Sequence, residues 1–301
     1  MSYEGWIILT ASLVGLSCGI MGVIMGVFLI LRRMAMMADA ISHTVLLGIV
    51  SAYLITKELS GIYMLIGAII AGLLTALLVQ WFHSLGVQQD ASIGVVFTTL
   101  FALGVILIAT KVGNVHLDVQ HALMGEITFV PWHTIELPLL GEIPQATFTL
   151  ILVLLVVLVV ILAFYKEWKI TTFDAAAALA ASIGIPVIGM HYLFMTLVSI
   201  TTITTVASFD AVGAIMVVAM LITPAAAAYL WTDRLLVMLS LSASFGVISA
   251  IGGYYIAVWL DTSISGSMAF ATGIIFLISF IGSPTHGLLS RFVKPFTTQS
   301  M

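Results

Sequence analysis

A chain of 301 residues with 62% hydrophobic and only 7% charged side chains is not a soluble domain, in which about 25% of residues carry charge. A net charge of −4, spread over loops, provides no basic footprint for nucleic acid. What remains is an all-α polytopic transmembrane helical bundle in contact with membrane lipid.

A membrane-crossing helix needs roughly 20 apolar residues. The first charge-free window covers residues 5–31. It carries Gly15, Gly19, Gly22 and Gly26, a ridge of small residues that permits close helix packing, a dimer seam or a path lining. Cys18 is the single cysteine. It forms no internal disulfide and reads as a small packing residue. The opening Met1 to Trp6 lacks a basic region and the apolar run is too long for a cleaved leader, so no signal peptide is expected.

The second segment, residues 35–55, contains Asp39 and His43. Residues four apart share one helix face. A carboxylate at membrane depth costs about 3 kcal/mol on insertion scales, so its presence points to use. An Asp–His pair suits a divalent metal or a proton; the plainer reading is an internal pair that fixes helix packing. Further windows follow at residues 59–82 and 91–110.

The outer connection after Lys111 holds His116, Asp118, His121 and Glu126. On a helix Asp118 and His121 share a face. Oxygen and nitrogen donors without cysteine suit Mn²⁺, Fe²⁺ or Zn²⁺ better than Cu(I). The set reads either as a metal entry site or as a polar loop.

A fifth window spans residues 143–165, and the loop 166–186 follows. Thr171, Thr172 and Asp174 are cap-type residues. Ala175 to Ala181, including Ala178, favour helix. Gly184 can close it and Pro186 forbids continuation. A cytoplasmic helix of two to three turns is expected, serving as a docking element or an ordinary connector. The remaining spans are 187–208, 211–232, 235–260 and 263–282. Asp210 reads as a helix-end residue, and Pro224 kinks the span that holds it.

The total is about nine spans, or eight if the short second segment is re-entrant. With nine spans and the N-terminus outside, Arg32, Arg33, Lys166, Lys169, Arg234, Arg291 and Lys294 are cytoplasmic, against Lys57 and Lys111 outside. This obeys the positive-inside rule. No soluble module fits in the loops, so residues 1–301 form a single transmembrane domain. No nucleotide-binding Gly-x-x-x-x-Gly-Lys-Ser/Thr run occurs, and no Ser–His–Asp arrangement supports a hydrolase.

Three stretches in combination resemble a known family. They are Leu31-Arg-Arg-Met-Ala-Met-Met-Ala-Asp-Ala-Ile-Ser-His43, the loop from Phe173-Asp174 to Gly184-Ile-Pro186, and Val212-Gly-Ala-Ile-Met-Val-Val-Ala-Met-Leu-Ile-Thr-Pro-Ala-Ala226. They look like the permease subunit of ATP-driven ABC importers for manganese, zinc or iron. Residues 120–131 resemble the outer region of the manganese-type members. The likeness covers about residues 5–290.

The resemblance implies a second permease chain, identical or different, and cytoplasmic ABC ATPase subunits docked on the loop through Thr172, Phe173, Asp174, Ala178 and Gly184. It also implies an extracytoplasmic metal-binding protein. Asp39 and His43 match the family's intramembrane metal position, and His121 and Glu126 match its outer-end positions. Ala175 departs from the proline that often follows Phe-Asp. The protein itself is then not an enzyme. It holds no permanent cofactor, carries manganese first, zinc or iron next, and resides in the cell (plasma or inner) membrane. The rival readings are an ion-coupled secondary transporter using Asp39 and His43 as proton or metal site, which lacks the expected internal repeat, and a membrane enzyme built on the outer His/Asp/Glu group.

Overall fold

The computed structural model describes residues 4–15, 18, 36–57, 61–111, 127–132, 134–137, 141–173, 187–284 and 287–288. The α-helices are α1 (Glu4–Gly15), α2 (Met37–Thr56), α3 (Gly61–Ser84), α4 (Gln89–Lys111), α5 (Gln145–Phe173), α6 (Val187–Val212), α7 (Ala214–Trp231), α8 (Leu235–Leu260) and α9 (Ile264–Gly282). Six of them (α2, α3, α4, α5, α8 and α9) are long and apolar enough to cross a membrane. The described part of the chain is thus an all-α multi-pass membrane protein with one small β element. This agrees with the physics of lipid, where each helix satisfies its own backbone.

Several expected boundaries move. The span expected over 211–232 starts only at Ala214, because Gly213 breaks the chain at φ +82°, a left-handed conformation that glycine adopts without cost. Helix α5 does not stop at Tyr165 but runs through Lys166 and Lys169 to Phe173. Neither Pro nor Gly intervenes there, and threonines are tolerated in a last turn. Thr172 and Phe173, expected in the loop, therefore close a helix. The connection between α4 and α5 contains a 3₁₀ helix (Ile127–Trp132) and a hairpin of β1 (Thr134–Leu137) and β2 (Gly141–Pro144). Its antiparallel register sets Ile135 opposite Ile143 and Glu136 opposite Glu142. The polar–apolar alternation of Thr-Ile-Glu-Leu is a period-two signal. By contrast, α8 keeps its expected bounds, and α9 begins behind Ser263, whose Oγ accepts the Gly266 N–H at 3.4 Å.

The chain divides into two compact units. One comprises Met1–Gly26, Glu126–Thr147 and Ala219–Met301; the other Val27–Gly125 and Phe148–Val218. In the first, α8 packs on α9. Gly15 of the small-residue ridge lies directly against the backbone of Gly246, so at that position the ridge serves internal packing. Thr10 and Thr147 share a hydrogen bond of 2.6 Å, and Ser283 Oγ donates to the Leu230 carbonyl.

In the second unit, α2 packs against α3 and α4, and α6 against α3 and α2. The helices approach closely. The backbones of Gly48 (α2) and Gly67 (α3) touch, so a Cβ on either would collide with the other's carbonyl. A Cβ on Gly104 (α4) would meet the backbone N and Cα of Leu47 at 3.1 and 3.2 Å. Small residues at such crossings let dispersion hold helices together in lipid. Several of this unit's hydroxyls are tied up locally. Thr75 Oγ1 donates to Thr44 Oγ1 across the α2–α3 contact at 2.8 Å, and Thr44 donates to the Ile41 carbonyl at 3.0 Å. Thr201, Thr202 and Thr204 of α6 each bond the carbonyl four residues back. Interhelical hydrogen bonds in membranes average about 0.6 kcal/mol. Thr44→Val with Thr75→Val should therefore lower thermal stability in detergent only slightly, and leave uptake near wild type.

Candidate functional site

Helix α2 starts after Met36 without a side-chain cap and ends at Lys57, whose left-handed backbone (φ +58°) returns its N–H to Tyr53 O at 2.8 Å. Asp39 sits in the first turn, where the exposed N–H groups of the helix end favour negative charge. One turn later comes His43. The spacing works as expected: His43 Nε2 lies 3.5 Å from Asp39 Oδ1, with about a third of each side chain exposed (33% and 31%).

Neighbouring polar groups are accounted for. Ser42 Oγ donates to the Asp39 carbonyl at 2.7 Å, and Thr44 is engaged as described above. The Asp39 carboxylate and the imidazole are what the helix leaves over.

At 3.5 Å the pair is too far apart for a good N–H···O hydrogen bond, which falls at 2.7–3.2 Å. It does suit two donors on one cation. With metal–donor lengths of about 2.1 Å and a tetrahedral angle, the donors are about 3.4 Å apart. An imidazole nitrogen with one carboxylate oxygen is a donor set for Mn²⁺, Fe²⁺ or Zn²⁺. Among the described residues no group of three or more His, Cys, Asp and Glu could hold a metal, so the pair would offer a cation two ligands, with water or another element completing the shell.

Helix α4 sets two aromatic rings against the His43 ring. Phe97 stacks on it, with centroids 5.8 Å apart and planes 26° from parallel. Phe101 meets it edge-on at 5.6 Å and 69°. Nδ1 is buried and has no hydrogen-bond partner among the described residues. Phe97 and Phe101 are not among the residues that the sequence singles out. Their spacing of four on an apolar helix is visible there, but nothing in that helix says which residue of another helix it faces.

Of the other expected site residues, His116, Asp118, His121 and Glu126 lie outside the described residues, as do Asp174, Ala178 and Gly184. Thr172 and Phe173 fall in the last turn of α5. Asp210 lies in α6, just before its end at Val212.

Residues 4–283 match the family described as the ABC 3 transport family. The chain is 56% identical over 299 residues to the manganese transport system membrane protein MntD of Bacillus subtilis, covering 99% of this chain and 98% of that one. It is 40% identical to the zinc transport system membrane protein TroD of Treponema pallidum, covering 95% of this chain and 75% of that one. Among solved structures, PsaBC from Streptococcus pneumoniae in complex with Fab is similar, with TM-score 0.76 and 32% identity over 97% of this chain and 96% of that one.

Proposed function

Since this chain belongs to the ABC 3 transport family, we propose that it is the membrane-spanning permease subunit of an ATP-driven importer of divalent metal, with manganese as first cargo and zinc or iron next. The observation that carries this reading is the Asp39–His43 pair, held one turn apart on a helix long and apolar enough to cross the membrane. The relative at 56% identity is named for manganese transport, which favours that ion. A hard carboxylate oxygen in the pair points the same way.

The whole chain works as one permease domain in the plasma membrane. ATP is hydrolysed elsewhere, because the sequence has no phosphate-binding loop. Cytoplasmic ATPase subunits dock on residues 166–186, the last turns of α5 and the stretch that follows it, through Thr172, Phe173, Asp174, Ala178 and Gly184. An extracytoplasmic protein delivers metal outside, where His116, Asp118, His121 and Glu126 form the entry. A second permease chain faces this one across the path.

The chemistry of transfer is exchange of ligands. A hydrated cation gives up part of its water to Asp39 and His43. The carboxylate offsets the charge that low-dielectric surroundings penalise. Two ligands are enough to catch the ion and too few to trap it. Closure of the ATPases then turns the site from one side of the membrane to the other, which is alternating access.

The test is purification of the chain from its native membrane, followed by reconstitution. An ATPase subunit should copurify, and metal should enter vesicles only when ATP reaches it. Uptake that runs without ATP and collapses with the proton gradient would instead support an ion-coupled exchanger.

A further inference from the structure

We propose that Phe97 and Phe101 are positioning residues. They form an aromatic clamp that aims His43 Nε2 at the cargo and withholds from Nδ1 the hydrogen bond that would strengthen the ligand. The proposal rests on the reading of Asp39 and His43 as cargo ligands.

Three observations converge. The first is the pair of ring contacts. Phe97 and Phe101, one turn apart on α4, take the face and the edge of a single imidazole, arrangements that aromatic rings prefer. The second is the helix contact that brings them there. One turn beyond His43, Leu47 lies against Gly104, which is nearly one turn beyond Phe101. The two helices therefore run in the same direction, in contact at backbone distance, and α4 cannot drift away from the ring. The third is Nδ1, buried and without a partner among the described residues.

A metal-bound histidine ordinarily donates its other ring N–H to a carboxylate, a carbonyl or water, which fixes the ring and raises its basicity. Here the fixing and the strengthening are separated. When Nε2 offers its lone pair, Nδ1 must carry the hydrogen, and that hydrogen has no acceptor among the described residues. Orientation comes from the phenylalanines instead. The outcome is a well-aimed but weak ligand. A transport site needs that, since binding must be favourable enough to admit the ion and weak enough to release it.

The experiment uses the complete importer in cells lacking their own permease. Initial uptake of Mn²⁺, or of Zn²⁺ if wild-type cells take up only that ion, is normalised to permease in the membrane. Phe97→Leu with Phe101→Leu keeps apolar bulk and removes the rings; uptake should fall about tenfold, while Phe97→Tyr with Phe101→Tyr should stay within about twofold of wild type, the scale seen when a ligand's supporting residues are changed. Wild-type uptake in the leucine pair overturns the clamp, and so does a tyrosine pair as poor as the leucine pair. If the leucine pair does not reach the membrane, the two single leucine variants are read against their tyrosine counterparts by the same criteria. His43→Ala is measured alongside. Normal uptake in that variant would sink the site itself, whereas loss in His43→Ala with normal uptake in the leucine variants would sink the clamp alone.

Discussion

Asp39→Ala and His43→Ala should each lower metal uptake about 100-fold, the upper end of the range for disturbed metal sites, at unchanged amounts of permease in the membrane. Asp39→Asn should do the same, because it keeps shape and removes charge. Stability separates a metal-ligating role from a packing role. A carboxylate at membrane depth costs about 3 kcal/mol on insertion scales, and Asp39 is a third exposed and too far from His43 for a strong hydrogen bond. Asp39→Ala should therefore unfold in detergent at the same temperature as wild type or higher, while transport is lost. A pair kept for packing gives the opposite pattern: lower stability and surviving uptake.

The second large effect belongs to the glycine contact beneath the site. Gly67→Leu should lower thermal stability far more than Asp39→Ala or the paired Thr44→Val and Thr75→Val changes, and uptake should fall with it. A Cβ at residue 67 meets the Gly48 carbonyl and the Ala52 side chain, and a Cβ at 48 meets the Gly67 backbone. Overpacking a core usually costs about 1–3 kcal/mol. At this crossing the obstacle is backbone, which cannot rotate aside, so the cost lies at or above the upper end. Separation of α2 from α3 also displaces α2, the helix that carries His43. Unfolding followed by fluorescence in detergent checks the ranking: Gly67→Leu far below wild type, and the Thr44→Val, Thr75→Val pair close to it.

Much of the architecture is legible in hydropathy because lipid imposes it. A window without charges either crosses the membrane or packs within it, and α8 matches its window at both ends. The departures have local causes. The first charge after the fifth window points to an end at Tyr165, yet Lys166 and Lys169 near a helix end cost little when their heads reach water, so α5 continues to Phe173. Gly213 lies inside an uninterrupted apolar window, where hydropathy cannot register a break in backbone direction. The hairpin Thr134–Leu137 with Gly141–Pro144 is hidden by its brevity.

At the site the same limit applies between helices. Asp39 and His43 are legible because one helix fixes both. Phe97 and Phe101 are not, because their role depends on how α4 is set against α2, and Gly104 determines that only through its contact with Leu47.

The whole transport scheme requires that one cation bridge the Asp39 carboxylate and the His43 imidazole during passage. Electron–nuclear resonance on Mn²⁺ bound to the purified importer addresses this directly. A bridging ion gives a nitrogen coupling from a coordinated imidazole that disappears in His43→Ala, together with weakened Mn²⁺ binding in Asp39→Ala. Bound Mn²⁺ without nitrogen coupling in the wild type, or with a coupling that survives in His43→Ala, would refute the bridge.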